Sequence, residues 1–277
     1  MNGITEKLLG IVSDWAGSFN GAFNIRENGQ CAGRQSTAHI KIESKTDVPG
    51  LDIRILPGTK GESVSIPACV THGDVDDLVY NDFFVGEGAK VTIVPGCGIH
   101  NCGDCDSQHD GIHTFYVGKN AKVTYIEKHY GEGEGRGKRI LNPQTIVYLE
   151  EGASIVMETS QIAGVDDTKR YTKVVAEGAD SEVQITEKLL TDGEQHAISE
   201  MDVILNGAGS RTRVISRSVA KGSSTQLFYP RVQGNGPCFG HVSCDAIIMS
   251  AAKVRAIPEI SCNHVDASLI HEAAIGR

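Results

Sequence analysis

The chain has 277 residues, with 26 Lys and Arg against 35 Asp and Glu, a formal charge of −9, and 32 glycines beside only 5% aromatic residues. A field of that sign repels phosphate backbones, so general nucleic-acid binding is excluded, and no apolar run approaches the ~18 residues of a membrane span. Abundant glycine without a Gly-X-Y period or a Pro/Ser bias excludes collagen and a linker, and points to short strands joined by tight turns.

At the N-terminus, Ile4, Leu8, Leu9, Val12 and Trp15 follow the period of a helix, which is expected to run to about residue 18. The early acids and the lack of an uninterrupted apolar stretch exclude a signal peptide, so a soluble, cytoplasmic protein is expected. NIRENGQ (24–30) has the composition of a hairpin turn. From about residue 38 the texture changes to alternation, with Ile40 and Ile42, then Leu51, Ile53 and Ile55, separated by turn-rich segments. Residues 1–37 are therefore set apart from a body spanning 38–277.

Within that body a weak repeat appears: GEGAKVTIV (86–94), GKNAKVTYI (118–126), EEGASIVME (150–158), AEGADSEVQI (176–185) and LNGAGSRTRVI (205–215). Each has a Gly or Asn turn, a small residue and alternating apolar positions. The alanines at 89, 121, 153, 179 and 208 are spaced by 32, 32, 26 and 29. Units of this size cannot bury an apolar face alone, so they stack. The expected fold is all-β, a parallel β-helix (solenoid) with a short N-terminal helix; a β-sandwich is the second choice because the spacing is uneven.

Eight cysteines are present. Cys31, Cys69 and Cys262 are expected to be packing residues. Cys97, Cys102 and Cys105, spaced C-x4-C-x2-C among His100, His109 and His113, resemble the first three ligands of a plant-type [2Fe–2S] loop. A turn-rich loop between two repeats can show the same residues by accident. GEGEGRGK (131–138) lacks a helix start and is expected to be a flexible loop, and neither a P-loop nor a G-x-S-x-G or HExxH motif occurs.

Cys238, His241, Cys244 and Asp245 lie in one strand-like run. The offset of three puts His241 and Cys244 on opposite faces of a regular strand. His271 and Glu272 likewise point two ways, and neither pair forms a metal site on a regular strand.

Taken in order, Ser216–Gly222, Gly240-His241-Val-Ser-Cys244-Asp245-Ala-Ile-Ile-Met249, Ala256-Ile-Pro258-Glu259 and His271-Glu272-Ala resemble the core of SufB/SufD proteins. The resemblance is strongest over 205–277 and continues weakly back to about 38. It implies a right-handed parallel β-helix and a non-enzymatic scaffold for iron–sulfur cluster assembly and transfer. It also implies pairing through the β-helix, as a homodimer here, and work with a SufC-like ABC ATPase and a sulfur donor protein. Cys244 matches the position associated in SufB with accepting sulfur; Glu272 and His271 match the glutamate implicated in SufB and the histidine implicated in SufD. Iron and a transient iron–sulfur cluster are the implied cargo, with Cys244, His271 and Glu272 as ligands and His241 as a further candidate. The family's C-terminal helical region, which docks the ATPase, has no counterpart after Arg277, and the resemblance gives no role to Cys97, Cys102 or Cys105. Two other readings stand beside it: an electron carrier or redox sensor using the Cys97–Cys105 loop, and a structural β-solenoid.

Overall fold

The computed structural model describes residues 1–276. Its one helix among these, Gly3–Ser13, starts where the Asn2 side chain accepts from the Thr5 amide at 2.8 Å. It stops earlier than its apolar period suggests. Asp14 turns left-handed (φ 53) and returns its amide to the Leu9 carbonyl, so Trp15 packs back from a turn and not from a continuing helix. Leu8, Leu9 and Val12 are fully buried, which is worth about 1.5–3 kcal/mol for each such side chain. The helix lies so close to the strand Gly96–His100 that a Cβ on Gly96 would stand 2.3 Å from the Val12 carbonyl oxygen.

The expected hairpin is present. Ala22–Glu27 pairs antiparallel with Gln30–Gln35 across Asn28 and Gly29, both at positive φ, as a tight hairpin turn requires. Ala22–Glu27 also pairs parallel with Lys60–Ser65 and Ala68–Val70, which joins it to the body.

From there the chain winds as a β-solenoid of about 8 turns, laying strands alternately into a 12-stranded and an 11-stranded sheet. Strands of successive coils are parallel: Lys122–Glu132, Ser154–Ala163, Glu182–Thr191, Ser210–Ala220, Cys238–Ile248 and Ala267–Gly276 follow one another in the first sheet. Parallel pairing from coil to coil excludes the sandwich. The inner faces bury Phe83, Phe115, Tyr125, Ile155 and Val203, with Phe83 and Phe115 stacked at 4.4 Å.

The uneven repeat has a simple cause. The fully buried small residues at the turn into the first sheet are Ala89, Ala121, Ala153, Ser181 and Ser210. The amides of Ala89, Ala121, Ala153 and Ser210, and the Ser181 hydroxyl, each donate to a carbonyl three residues earlier. Ala179 and Ala208 stand two residues ahead of the serines that hold the equivalent place. Lys122 pairs with Lys90, Ser154 with Lys122, Glu182 with Ser154 and Arg211 with Glu182, so the coils shorten along the chain without losing register. GEGEGRGK is no flexible loop either. The Gly135 and Gly137 amides donate to the Asn101 and Gly103 carbonyls of the coil before, and a Cβ on Gly137 would fall 2.0 Å from the Cys105 carbonyl oxygen.

Candidate functional site

The strand Cys238–Ile248 is the last one flanked on both sides, by Ser210–Ala220 and by Ala267–Gly276. Strand alternation decides which way each residue faces. Val242, Cys244 and Ala246 are buried on the inner face, while Phe239, His241 and Asp245 look outward. His271 pairs with Val242 and Ala273 with Cys244, so His271 shares the inner face with Cys244, one strand over and two positions back. Glu272 lies on the outer face, where its Oε1 is 2.8 Å from His241 Nε2. The site residues expected from the sequence are thus brought into one corner of the solenoid but split across one sheet, thiol and imidazole inside, carboxylate and imidazole outside.

Burial pushes the Cys244 thiol up to about 12, helped by Asp245 and Glu187 and opposed by Arg217. Arg217 forms an ion pair with Asp245 on the outer surface and places Nη1 3.4 Å from Ser243 Oγ. Cys244 is therefore a neutral thiol until something draws off its proton. His271 is lowered by burial, against the pull of Glu272. Its Nε2 is buried and hydrogen-bonds to nothing among the described residues. An unpartnered buried imidazole nitrogen beside a sheltered thiol is a donor set that fits iron or a sulfur–iron cargo, with soft and borderline ligands on one face.

Sequence reasoning missed what lies beneath. Glu127, Thr159, Glu187, Ser216 and Cys244 are paired coil to coil, forming one inward column along the axis. Arg170 crosses from the second sheet to reach Glu127 at 2.5 Å and Glu187 at 3.6 Å. Burial acts on both carboxylates. His129 and Arg170 outweigh it at Glu127, which is held well below the usual range, whereas at Glu187 burial prevails and the value rises. Glu187 Oε2 accepts from Ser199 Oγ at 2.7 Å, while its Oε1 is unpartnered among the described residues. The signal was in the sequence: Glu127 and His129 keep the phase of Val123 and Tyr125, and Glu187 that of Val183 and Ile185.

A family model described as SUF system FeS cluster assembly, SufBD core domain, matches residues 80–277, a span that contains Cys244 and His271–Glu272. The chain belongs to the SufBD family. A relative from Archaeoglobus fulgidus, described as an iron–sulfur cluster assembly SufBD family protein, is 30% identical over 245 residues, covering 86% of this chain and 63% of that protein. One from Methanothermobacter thermautotrophicus with the same family description is 26% identical, covering 85% of this chain and 57% of its own length. A chloroplastic SufBD family protein of Arabidopsis thaliana is 27% identical over 69% of this chain and 35% of its own. The chain thus spans about three fifths of the length of these archaeal relatives.

The SufBD core match takes in the Cys97–Cys105 segment, but the structure disperses its thiols. Cys97 is buried between Ala68 and His129 in the first sheet, and its thiol is pushed well up by burial, with Glu127 adding to the effect. Cys102 and Cys105 are exposed on the corner that follows. Among the described residues no three His, Cys, Asp or Glu side chains converge to hold a metal ion. Of the three cysteines expected to be packing residues, only Cys69 is buried; Cys31 and Cys262 are exposed. No helix among the described residues is long and apolar enough to cross a membrane.

Proposed function

We propose that this SufBD protein is a non-enzymatic, cytoplasmic scaffold subunit on which iron–sulfur clusters are built and from which they are handed on. Membership of the family supports a part in cluster assembly. The observation that supports the finer reading is that Cys244 and the unpartnered imidazole of His271 share the inner face on neighbouring strands, two positions apart in register.

In this reading the inner thiol supplies the sulfur-accepting and iron-binding position. A sheltered neutral thiol loses its proton when iron binds, because metal binding favours the thiolate. When it attacks the outer sulfur of a donor persulfide, one S–S bond forms, one breaks, and the proton goes to the departing donor thiolate. His271 is a more labile ligand, and mixed ligation holds the cargo loosely enough to pass on. Glu272 is tied to His241 on the outer face of Ala267–Gly276, whose outer edge is unpaired among the described residues and is a template on which a second copy would pair. A SufC-like ABC ATPase and a sulfur donor protein complete the assembly as partners.

The test is anaerobic reconstitution of the full chain with ferrous iron and sulfide, followed by absorption and transfer to an apo acceptor protein. Cys244→Ser is expected to abolish both formation and transfer, and Glu272→Ala to weaken them. Variants that load and transfer as the parent does would overturn the reading.

A further inference from the structure

One group of reactive side chains lies outside the Cys244 corner, and nothing in the proposed scaffold role uses it. Where the first sheet passes to the second, Cys102 Sγ stands 3.2 Å from His100 Nε2, and His100 Nδ1 stands 3.1 Å from Glu132 Oε1. The other carboxylate oxygen, Oε2, accepts from Lys7 Nζ at 2.6 Å and from Tyr130 Oη at 3.0 Å. Glu132 resists the upward push of burial and is lowered by its bonds to Lys7, His100 and Tyr130, so it is a carboxylate. A carboxylate on Nδ1 fixes the tautomer with the proton on that nitrogen, leaving the Nε2 lone pair for the thiol proton. Nucleophile, base and an orienting third group within hydrogen-bond reach is the arrangement that activates a nucleophile.

The corner is held in place. Asn101 is fully buried; its Nδ2 donates to the Cys105 carbonyl at 2.9 Å and its Oδ1 accepts from the Gly103 amide at 2.9 Å, clamping the backbone on either side of Cys102. The Gly133–Gly137 segment lies directly on that backbone. Cys102 itself is exposed, so its thiol can meet a reagent as large as another protein. Cys105, three residues on, is equally free but has no side-chain partner among the described hydrogen bonds, and it is a built-in comparison.

We propose that Cys102 is a reactive thiol, deprotonated by His100 as it attacks, that exchanges with divalent sulfur in persulfides and disulfides. With a persulfide, the Cys102 sulfur attacks the outer sulfur of R–S–SH. One S–S bond forms and one breaks, Cys102 leaves as Cys–S–SH, and the R–S⁻ leaving group takes the proton from His100. With a disulfide the same attack gives a mixed disulfide and R–SH. Both are exchanges and need no external oxidant. Glu132 is a positioning residue: it acts on the thiol only through His100. The proposal is independent of the cluster-scaffold reading, since it concerns neither Cys244 nor iron.

The test uses the full chain and peptide-resolved mass spectrometry. At neutral pH, iodoacetamide is expected to label Cys102 faster than Cys105 by about tenfold or more, a threshold set below the ~10²–10⁴-fold typical of general-base assistance. His100→Gln should bring the two rates together. Glu132→Gln should slow Cys102 and leave Cys105 unchanged, whereas a merely structural role would move both. Glutathione persulfide and glutathione disulfide then separate the sources: gain of one sulfur atom at Cys102 marks the first, and a glutathionyl adduct the second. Equal labelling of Cys102 and Cys105 in the parent, or a Cys102 preference that survives His100→Gln, would overturn the proposal. Because the comparison lies within one loop of the unmodified chain, a variant that fails to fold does not remove the decisive measurement.

Discussion

The two ends of the solenoid are built in opposite ways. At the N-terminal end, the helix Gly3–Ser13 presses Leu8 and Leu9 onto strands of the first sheet, and the hairpin Ala22–Gln35 continues the pairing beyond it. At the other end, the strand Ala267–Gly276 is paired on one side only among the described residues, and its residues alternate between partly buried and exposed before becoming exposed throughout. Ile270 and Ile275 stand about half exposed there. The first end carries its own cover, as stacked-repeat proteins require for solubility. The candidate cluster site lies at the other end, with Cys244 on the strand Cys238–Ile248 and His271 on Ala267–Gly276, the outermost strand of the sheet among the described residues.

Three measurements break or sharpen that comparison. The largest effect is expected from truncating the cover: Leu9→Ala should lose about 2–5 kcal/mol in urea unfolding, as buried Leu truncations do. Ile270→Ala, at a half-exposed position on Ala267–Gly276, should stay within about 0.5 kcal/mol. Equal losses would mean that the last coil is as well packed as the first. A smaller local difference is expected in amide hydrogen exchange. The amides of Ala267–Gly276 should exchange through local opening well before those of Lys122–Glu132, which are paired on both sides. Similar protection in the isolated chain would remove the contrast. The smallest effect concerns the thiol. Because the folded value of Cys244 is raised to about 12, its neutral form stabilises the fold fully below the unfolded thiol's ordinary value. That contribution is lost as pH rises from there towards the folded value. Between pH 8 and pH 10 the unfolding midpoint of the parent should therefore fall relative to Cys244→Ser, and a parallel course would show that the thiol is not sheltered.

Much of this was legible beforehand, for reasons that can be named. Strand alternation alone put His241 opposite Cys244 and Glu272 opposite His271, and the structure keeps both splits. The contact between His241 and Glu272 was not legible, because it depends on how one coil registers on the next, and register is set by corners whose length the sequence does not announce. The same difficulty hid Ser181 and Ser210 behind the alanines two residues earlier. The helix was read too long because Trp15 keeps the apolar period although Asp14 breaks the backbone. The Glu127–Arg170–Glu187 group was overlooked for a different reason: a charge in the apolar phase is taken for an exception until its partner on the other sheet is known.

The corners also decide where the coils differ in length. In the early coils the passage from the first sheet to the second takes residues 101–106 and 133–138, whereas 192–195 or 221–224 suffice later. The added length lies outside the sheets, so the columns that run up to Cys244 continue across it undisturbed. An insertion at such a corner is absorbed there, while one inside a strand would turn every following inward residue to solvent. The corner bearing Cys102 thus stands outside the axial column, and its own clamp of Asn101 and close-packed glycines is built separately from the register that carries Cys244.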